Sequence, residues 1–557
     1  MSYPILASSS TWYTQGGTTV TKSTITSIEI KNSYTPTSTV TSSWDASAAK
    51  DGSVMVYIEG AKLTIAGNGS GKIYMNENSG WAFADFSSAT KIIDAHILDT
   101  SRVTNMQQMF QNDKKLTEVD VSTWNTSNVT RINHMFNYCN ALITVNVSNW
   151  DTGNILYMNN VFAYCNNLIE LDCSNWNTSK VRNMSWMFFD CNSLKTIGDT
   201  SNWNTSSVTD MSYMFYHCTS LQVLDVSNWD TSNVTTMRCM FLQSDYGVTS
   251  APLSVLDVSK WDVSKVTRMD YIFYGLTNIT TLPVENWDLS SCTSLHHMFA
   301  WCTRLVLNDK VSNWNTSNVL YMNAVFHSNM NTHLDLSKWD VSKVQTFSQM
   351  FERNTVLEEI IGLDKWNTSS AKTFAEMFSG CSSLRELDLS AFNTTTINES
   401  WKDPVNSETS GVYGMFGISG DSYSGMHKLQ KVTIGENFSF NGDGTCTNIP
   451  VLPTPNVTHI TGADGYWYEP SGNTLLASEI SSKVAKTYYG SPELVRDFSV
   501  LVKTGSLIDI GKEIRNKTNT DTRYKPSEMA TAINELSSSI VAVIENNVLI
   551  IKEEDKK

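Results

Sequence analysis

Ten tryptophans, Trp124, Trp150, Trp176, Trp203, Trp229, Trp261, Trp287, Trp314, Trp339 and Trp366, stand 25 to 27 residues apart, with one interval of 32. Leu98 holds the same position one turn earlier and Phe392 one turn later, so the period runs through twelve turns. A degenerate thirteenth follows an insertion, with Met415-Phe416 and then Leu429, Val432 and Ile434. A period of this length marks a supersecondary unit that cannot bury its own apolar face and must stack on its neighbours. A chain of 557 residues would otherwise divide into two or three compact domains.

Each unit has three parts. After Trp comes an Asx and a hydroxyl residue, as in Asn125-Thr126-Ser127 or Asp230-Thr231-Ser232. Such side chains ahead of an apolar run predict a helix N-cap. The run follows: Val234, Met237, Met240 and Phe241 are spaced to share one face of a short helix. A phenylalanine column, Phe136 through Phe378, is unbroken in the Trp-bearing turns and predicts a buried ridge. The last part alternates, as in Leu221, Leu224 and Val226, and predicts a strand that stacks on its equivalents in one parallel sheet. The expectation is an α/β repeat solenoid of leucine-rich-repeat type, with a parallel sheet and a short helix in every turn, mostly buried Phe and Trp columns, and a right-handed coil.

The pattern Trp-Asp-Thr-Ser-Asn-Val-Thr … Met-Phe … Cys … Leu-Asp-Val-Ser-Asn-Trp, read from Trp229 and its neighbours, resembles the BspA-like family of bacterial and phage-encoded leucine-rich-repeat surface proteins. The resemblance covers residues 93–400 and implies surface binding without catalytic residues. At the other end, Ile508-Asp509-Ile510-Gly511-Lys512-Glu513-Ile514 with Tyr524-Lys525-Pro526 resembles a short helical module of phage tail-fibre and baseplate proteins of Gram-positive hosts. The opening Tyr3-Pro4-Ile5-Leu6-Ala7 is similar to phage structural proteins.

The expected organisation is an extended attachment segment (1–50), a β-hairpin N-cap (51–92) in a β-rich N-terminal region, the solenoid (93–400), a degenerate repeat and C-cap (401–480), a linker (481–504), a small helix–loop–helix module (505–536) and a tail (537–557). The start carries no basic segment followed by a long apolar run, so no secretory leader is expected. No run of 18 apolar residues predicts a membrane span.

A formal charge of -15 disfavours nucleic acid and anionic membranes as partners. The P-loop, Gly-x-Ser-x-Gly, His-Glu-x-x-His and dinucleotide fingerprints are absent. Gly67-Asn68-Gly69-Ser70-Gly71 reads as a turn. Cys139, Cys165, Cys191 and Cys218 recur with the repeat, and Cys302 and Cys381 share their position. A redox or metal ladder is one reading; a column of reduced, buried thiols is the favoured one. Asp120, Asp172, Asp225, Asp257, Asp335 and Asp388 form an acidic column that would serve calcium or a cationic ligand, or else bonds local backbone and serine. No cofactor or metal is expected.

Where units agree, a residue builds the coil; where they differ, it is free for other work. The position before the second methionine reads His134, Trp186, Tyr213, Tyr271 and His297, and a few residues later come Tyr138, Tyr164, Tyr216, Tyr274 and Trp301. Rows of aromatics suit sugar stacking or protein contact, or simply wrap the convex surface. The functional expectation is a non-enzymatic phage tail protein that binds a host cell-wall glycan or surface protein, sits among other tail and baseplate proteins as a homo-oligomer on the virion, and becomes extracellular after lysis. The alternatives are a bacterial surface adhesin, a virion structural or decoration protein, and a polysaccharide-degrading tail enzyme, which would need two carboxylates in a cleft.

Overall fold

The computed structural model describes residues 3–8, 12–13, 20–243, 252–398, 400–402, 411–417, 425–446, 450–471, 473–480 and 485–491, and the backbone of 540–545 and 548–553. Successive repeats stack through a ladder of parallel bridges one residue wide. It runs from Asn78 through Asn105, Arg131, Tyr157, Asn183, Asp210, Thr236, Arg268, Ser294, Tyr321, Thr346 and Thr373 to Gly411.

The expected helix is not there. Among the described residues the only helical segments are five 3-10 turns of three or four residues. The Met-Phe run is a ribbon of overlapping β-turns. Met135, Asn137 and Cys139 donate their backbone N–H to the carbonyls of Ile132, His134 and Phe136, three residues back. The alternate residues His134, Phe136 and Tyr138 donate instead to Asn159, Val161 and Ala163 of the next coil, at 3.0, 2.8 and 2.9 Å. An eight-residue helix is too short to sustain itself and would turn those N–H groups inward, unstitching the coils. The expected N-cap is likewise an Asx turn: Asn125 Oδ1 accepts the N–H of Ser127 at 3.0 Å and its hydroxyl at 2.7 Å.

The core columns carry more than volume. Phenylalanine rings stack from Phe83 through Phe110, Phe136 and Phe162 onward, with centroids 5.7, 5.2 and 5.5 Å apart and nearly parallel planes. Phe215 and Phe241 are fully buried. Every repeat tryptophan donates its indole N–H one coil back, as Trp150 does to Val121 and Trp314 to Val284 at 3.2 and 3.0 Å. Thr126, Thr152, Thr178 and Thr205 bridge the other way, each hydroxyl donating to a carbonyl in the next coil.

The expected continuous sheet is reduced to short pieces. In the N-terminal region, β1 (Ser27–Lys31), β2 (Ser42–Asp45), β3 (Val54–Glu59), β4 (Lys62–Gly67), β5 (Ile73–Tyr74), β6 (Lys91–Ile93), β7 (Leu98–Asp99) and β8 (Glu118–Val119) give a six-stranded sheet, β2-β3-β4-β1-β6-β8, and a separate β5–β7 pair. Further on, β9 (His333–Asp335) pairs with β10 (Glu359–Ile361). Elsewhere a rung is held by one to a few backbone bonds, such as Ile143 N–H to Thr117 and Ile169 N–H to Ile143, at 3.0 and 3.2 Å. A Leu-Asp-Val segment runs into an Asx turn at its Asp: Asp225 Oδ1 accepts the N–H of Ser227 at 2.9 Å.

Two boundaries move. The described part of residues 1–50 is not a separate extended segment. Strand β1 lies parallel between β4 and β6, its Ile28 and Ile30 buried, while Trp12 is buried and donates to Ala82 at 2.8 Å. The alternation of Ile28 and Ile30 against polar neighbours makes this a core strand. The C-terminal sheet joins β11 (Glu386–Leu389), β12 (Lys431–Ile434), β13 (Trp467–Tyr468), β14 (Thr474–Leu475) and β15 (Lys486–Tyr489) in the order β11-β12-β15-β13-β14. It crosses position 480 into the expected linker, because the buried Tyr488 ties β15 to the cap. The expected module at 505–536 lies outside the described residues. The expected tail contains an antiparallel hairpin, β16 (Ile540–Glu545) with β17 (Val548–Glu553). No described helix is long and apolar enough to cross a membrane.

Candidate functional site

The turn ribbon positions the variable aromatics. His134, Tyr138, Tyr164, Trp186, Tyr213, Tyr271, His297 and Trp301 all have left-handed backbone, with φ between 54° and 62°. Each sits where a turn reverses, which holds its side chain on the rim of the coil at a conformational cost. Tyr216 and Tyr274 follow the core phenylalanine directly and have ordinary backbone.

These residues meet across coils in two clusters. Tyr138 stacks on Tyr164 with centroids 4.2 Å apart and planes 8° from parallel. Tyr164 leans on Phe189 at 5.0 Å, and Phe189 stacks on Tyr216 at 4.4 Å. Trp186 lies against both Phe189 and Tyr213, at 4.2 and 4.4 Å. The Arg238 guanidinium is over the Tyr213 ring at 5.8 Å. In the second cluster Tyr271 stacks on His297 at 4.7 Å and its hydroxyl contacts His296 Nε2 at 3.0 Å. Between them Cys239, Leu242, Tyr274, Ala300 and Ala324 form a small apolar core of their own, against which Tyr213, Tyr216, Tyr271 and Trp301 pack. His134 joins neither stack; its ring nitrogens approach the amides of Asn137 and Asn159 at 3.2 and 3.4 Å.

Stacking decides what the face can offer. Rings held face to face spend their π-surfaces on one another and present edges and hydroxyls to solvent. Tyr274 is buried; Tyr138, the first ring of its row, is the most open at 39%. Burial, aided by the hydrogen bond to Tyr138, pushes the Tyr164 hydroxyl up to about 12. Burial and Cys239 do the same for Tyr213. Both remain neutral donors at physiological pH.

Beyond Trp301 the face turns ionisable, and the sequence reading missed this part. The buried His327 places Nε2 3.3 Å from the buried Glu352, while Arg353 lies beside Glu352 at 3.4 Å and over the Trp301 ring at 5.9 Å. Burial lifts the Glu376 carboxyl, and burial with His296 and His327 nearby holds His297 well below the usual histidine range. One row, read down successive coils, carries the signal: Phe189, Tyr216, Leu242, Tyr274 and Ala300, then His327 and Glu352.

The two repeated columns resolve differently from a site. All ten cysteines are free and buried. The thiols of Cys139, Cys165, Cys191, Cys218, Cys302 and Cys381 donate to the carbonyl of the phenylalanine one coil back, at 3.0–3.2 Å. Asp120, Asp172, Asp225, Asp257, Asp335 and Asp388 each accept the N–H of the serine two residues on, and among the described residues no group of three or more His, Cys, Asp or Glu is arranged to hold a metal ion. The serine bonds keep the Asp120, Asp172, Asp257 and Asp335 carboxyls below the ordinary range.

The repeats match a family described as Mycoplasma protein of unknown function, DUF285, over residues 79–197, 166–247, 246–331 and 320–402. These overlapping segments run together from 79 to 402, more than half of the 557 residues. The chain belongs to this family. The DUF285 region therefore coincides with the Phe and Trp columns and with both aromatic clusters. No curated protein matches this DUF285 chain. Among solved structures it is similar to a leucine-rich repeat protein from Eubacterium ventriosum, at 14% identity, covering 76% of this chain and 98% of that one, with a TM-score of 0.26. A leucine-rich repeat protein of Leptospira interrogans is 10% identical, covering 59% and 72%, with a TM-score of 0.18. The TLR13 chain of a TLR13–ssRNA13 complex is 14% identical with a TM-score of 0.18; the match takes in 68% of this chain and 53%, about half, of that one.

Proposed function

We propose that this DUF285 protein is a non-enzymatic binding solenoid that recognises a repetitive host-surface ligand, a cell-wall glycan or a surface protein, through the rim of its turn ribbon. One observation carries the reading: coil-building positions repeat, while the rim positions between them differ from coil to coil and gather aromatics into two clusters along the rim, with Tyr138 as their most open ring. Its hydroxyls and ring edges suit hydrogen bonding along an extended ligand, and the open Tyr138 ring suits a stacked group. The acidic column supports architecture over catalysis, since each aspartate is engaged in its own turn. We place the protein on a phage tail, as a homo-oligomer among other tail proteins, on the resemblance of both chain ends to phage structural proteins.

The purified full chain should bind host cells and compete with particle adsorption. A Tyr138→Ser/Tyr164→Ser/Tyr216→Ser variant should bind about ten-fold less, the loss of one or two modest contacts. A chain that neither binds nor competes, with particles that adsorb normally without it, would replace this reading with a structural or decorative role.

A further inference from the structure

The strand face carries a second surface. Ile143, Ile169, Val223 and Val255 are 46%, 38%, 67% and 74% exposed. The coil does not require them. Positions equivalent to Ile143 and Ile169 hold Lys195, Gln222 and Arg385 elsewhere, and those equivalent to Val223 and Val255 hold Glu118, Thr196 and Glu359. Backbone bonds from Ile143 to Thr117, Ile169 to Ile143, Lys195 to Ile169 and Gln222 to Lys195 set the first of these coils side by side, and the Trp261 indole, donating to Val226 at 3.2 Å, ties the Val255 coil to the Val223 coil. The apolar residues therefore form two pairs in adjacent columns, Ile143 with Ile169 and Val223 with Val255, a broken stripe along the stack with the Lys195-Thr196 coil between the pairs.

Acid borders the stripe. Glu170, Asp172, Asp199, Asp225 and Asp257 are exposed on the same strand segments, against Lys195 as the cation among them, and a groove runs between Glu170, Asp199, Val223 and Asp225. Serine bonds hold Asp172, Asp199 and Asp257 in the ionised form. An aliphatic stripe with an anionic border repels a second copy of a chain of charge -15, nucleic acid and anionic lipid alike. It complements a polypeptide carrying both aliphatic and cationic side chains.

We propose that the strand face over coils 142–257 docks an extended, lysine- or arginine-rich polypeptide segment whose aliphatic residues cover Ile143, Ile169, Val223 and Val255. This surface is separate from the aromatic rim and does not depend on its function. Fluorescence anisotropy with the full chain and short labelled peptides tests it. A peptide of alternating lysine and leucine should bind, more weakly as salt rises. Peptides of alternating glutamate and leucine, or lysine and serine, should not. Val223→Ser/Val255→Ser should weaken binding, and Glu170→Lys/Thr196→Lys should weaken it about ten-fold. Thr196→Val, which extends the Val223 column to the coil beside Ile169, should tighten it. Equal binding of the lysine–serine peptide, indifference to both double variants, or no binding of the lysine–leucine peptide would each overturn the proposal. The rim variant Tyr138→Ser/Tyr164→Ser/Tyr216→Ser should leave peptide binding unchanged; loss in that variant would also overturn it.

Discussion

A cysteine three residues after the core phenylalanine offers a small volume and a weak donor, and the neighbouring coils show which matters. Where cysteine is missing, Asn329 and Asn354 donate to Phe299 and Phe326 at 2.8 and 2.6 Å, and Gln243 donates to Phe215 at 3.3 Å. The column is thus in most coils a donor position that closes the phenylalanine carbonyl one coil back; Leu276 is an exception, and Gln243 reaches in from the residue before. Cys165→Ala should cost about 1–3 kcal/mol by leaving that carbonyl buried and unpaired, and Cys165→Ser should cost less; denaturant midpoints decide. Native thiols should resist alkylation, since burial raises them well above the ordinary cysteine value, and all ten should react once unfolded without reductant. Asp113 stands at the same position in the first full coil. Its Oδ1 accepts the N–H of Phe86 at 2.8 Å, its other oxygen has no partner, and burial pushes the carboxyl well above its usual range. A raised carboxyl favours the folded state only while protonated. Stability should therefore fall as pH rises from about 4, the unfolded value, towards the folded value. Asp113→Asn should abolish that fall; a wild-type slope in the variant would count against it.

At the scale of the element, periodicity misled where two structures share it. Apolar residues at Val234, Met237, Met240 and Phe241 fit one helical face, and a ribbon of three-residue turns brings the same residues inward. The difference lies in alternate N–H groups that reach the next coil, a non-local choice that a local pattern does not record. Burial of the Phe and Trp columns was legible because one repeat unit says it many times. The rim aromatics were legible as candidates because they break the repeat, while His327 with Glu352 escaped because the two meet only across successive coils, at 3.3 Å. Glycine marks the tightest places. Gly362 has φ +100°, and a Cβ there would lie 2.3 Å from Ser337 Cα; Gly444 has φ +98° with open space around it. Gly444→Ala should cost about 1 kcal/mol for backbone strain alone. Gly362→Ala should cost clearly more in thermal unfolding, and equal losses would mean that the approach of coils at Ser337 relaxes freely.

From Asn78 to Gly411 the described repeats are a stack in which each coil is held by the two beside it. Stability in such an array is local, so a lesion acts where it falls. Phe241→Ala, in the middle of the aromatic stack, should remove about 3–5 kcal/mol and split denaturant unfolding into two steps. Phe416→Ala, near the end, should lower the first part of the transition and leave the rest in place. A single unsplit transition in both variants would show cooperation across the full stack.

The bonds between coils also bear on inheritance. Indole to carbonyl, thiol to carbonyl and threonine to carbonyl each span about one period, as Trp176 reaches Val147 and Cys191 reaches Phe162. Removing or duplicating one whole period in the gene would hand every donor an equivalent acceptor in the new neighbour. Near-identical stretches such as Trp-Asn-Thr-Ser-Asn-Val at 124–129 and 314–319 are the kind of sequence at which recombination slips by a unit. The protein can therefore change its length, and with it the number of rim positions on display, in single steps that leave the interior as it was.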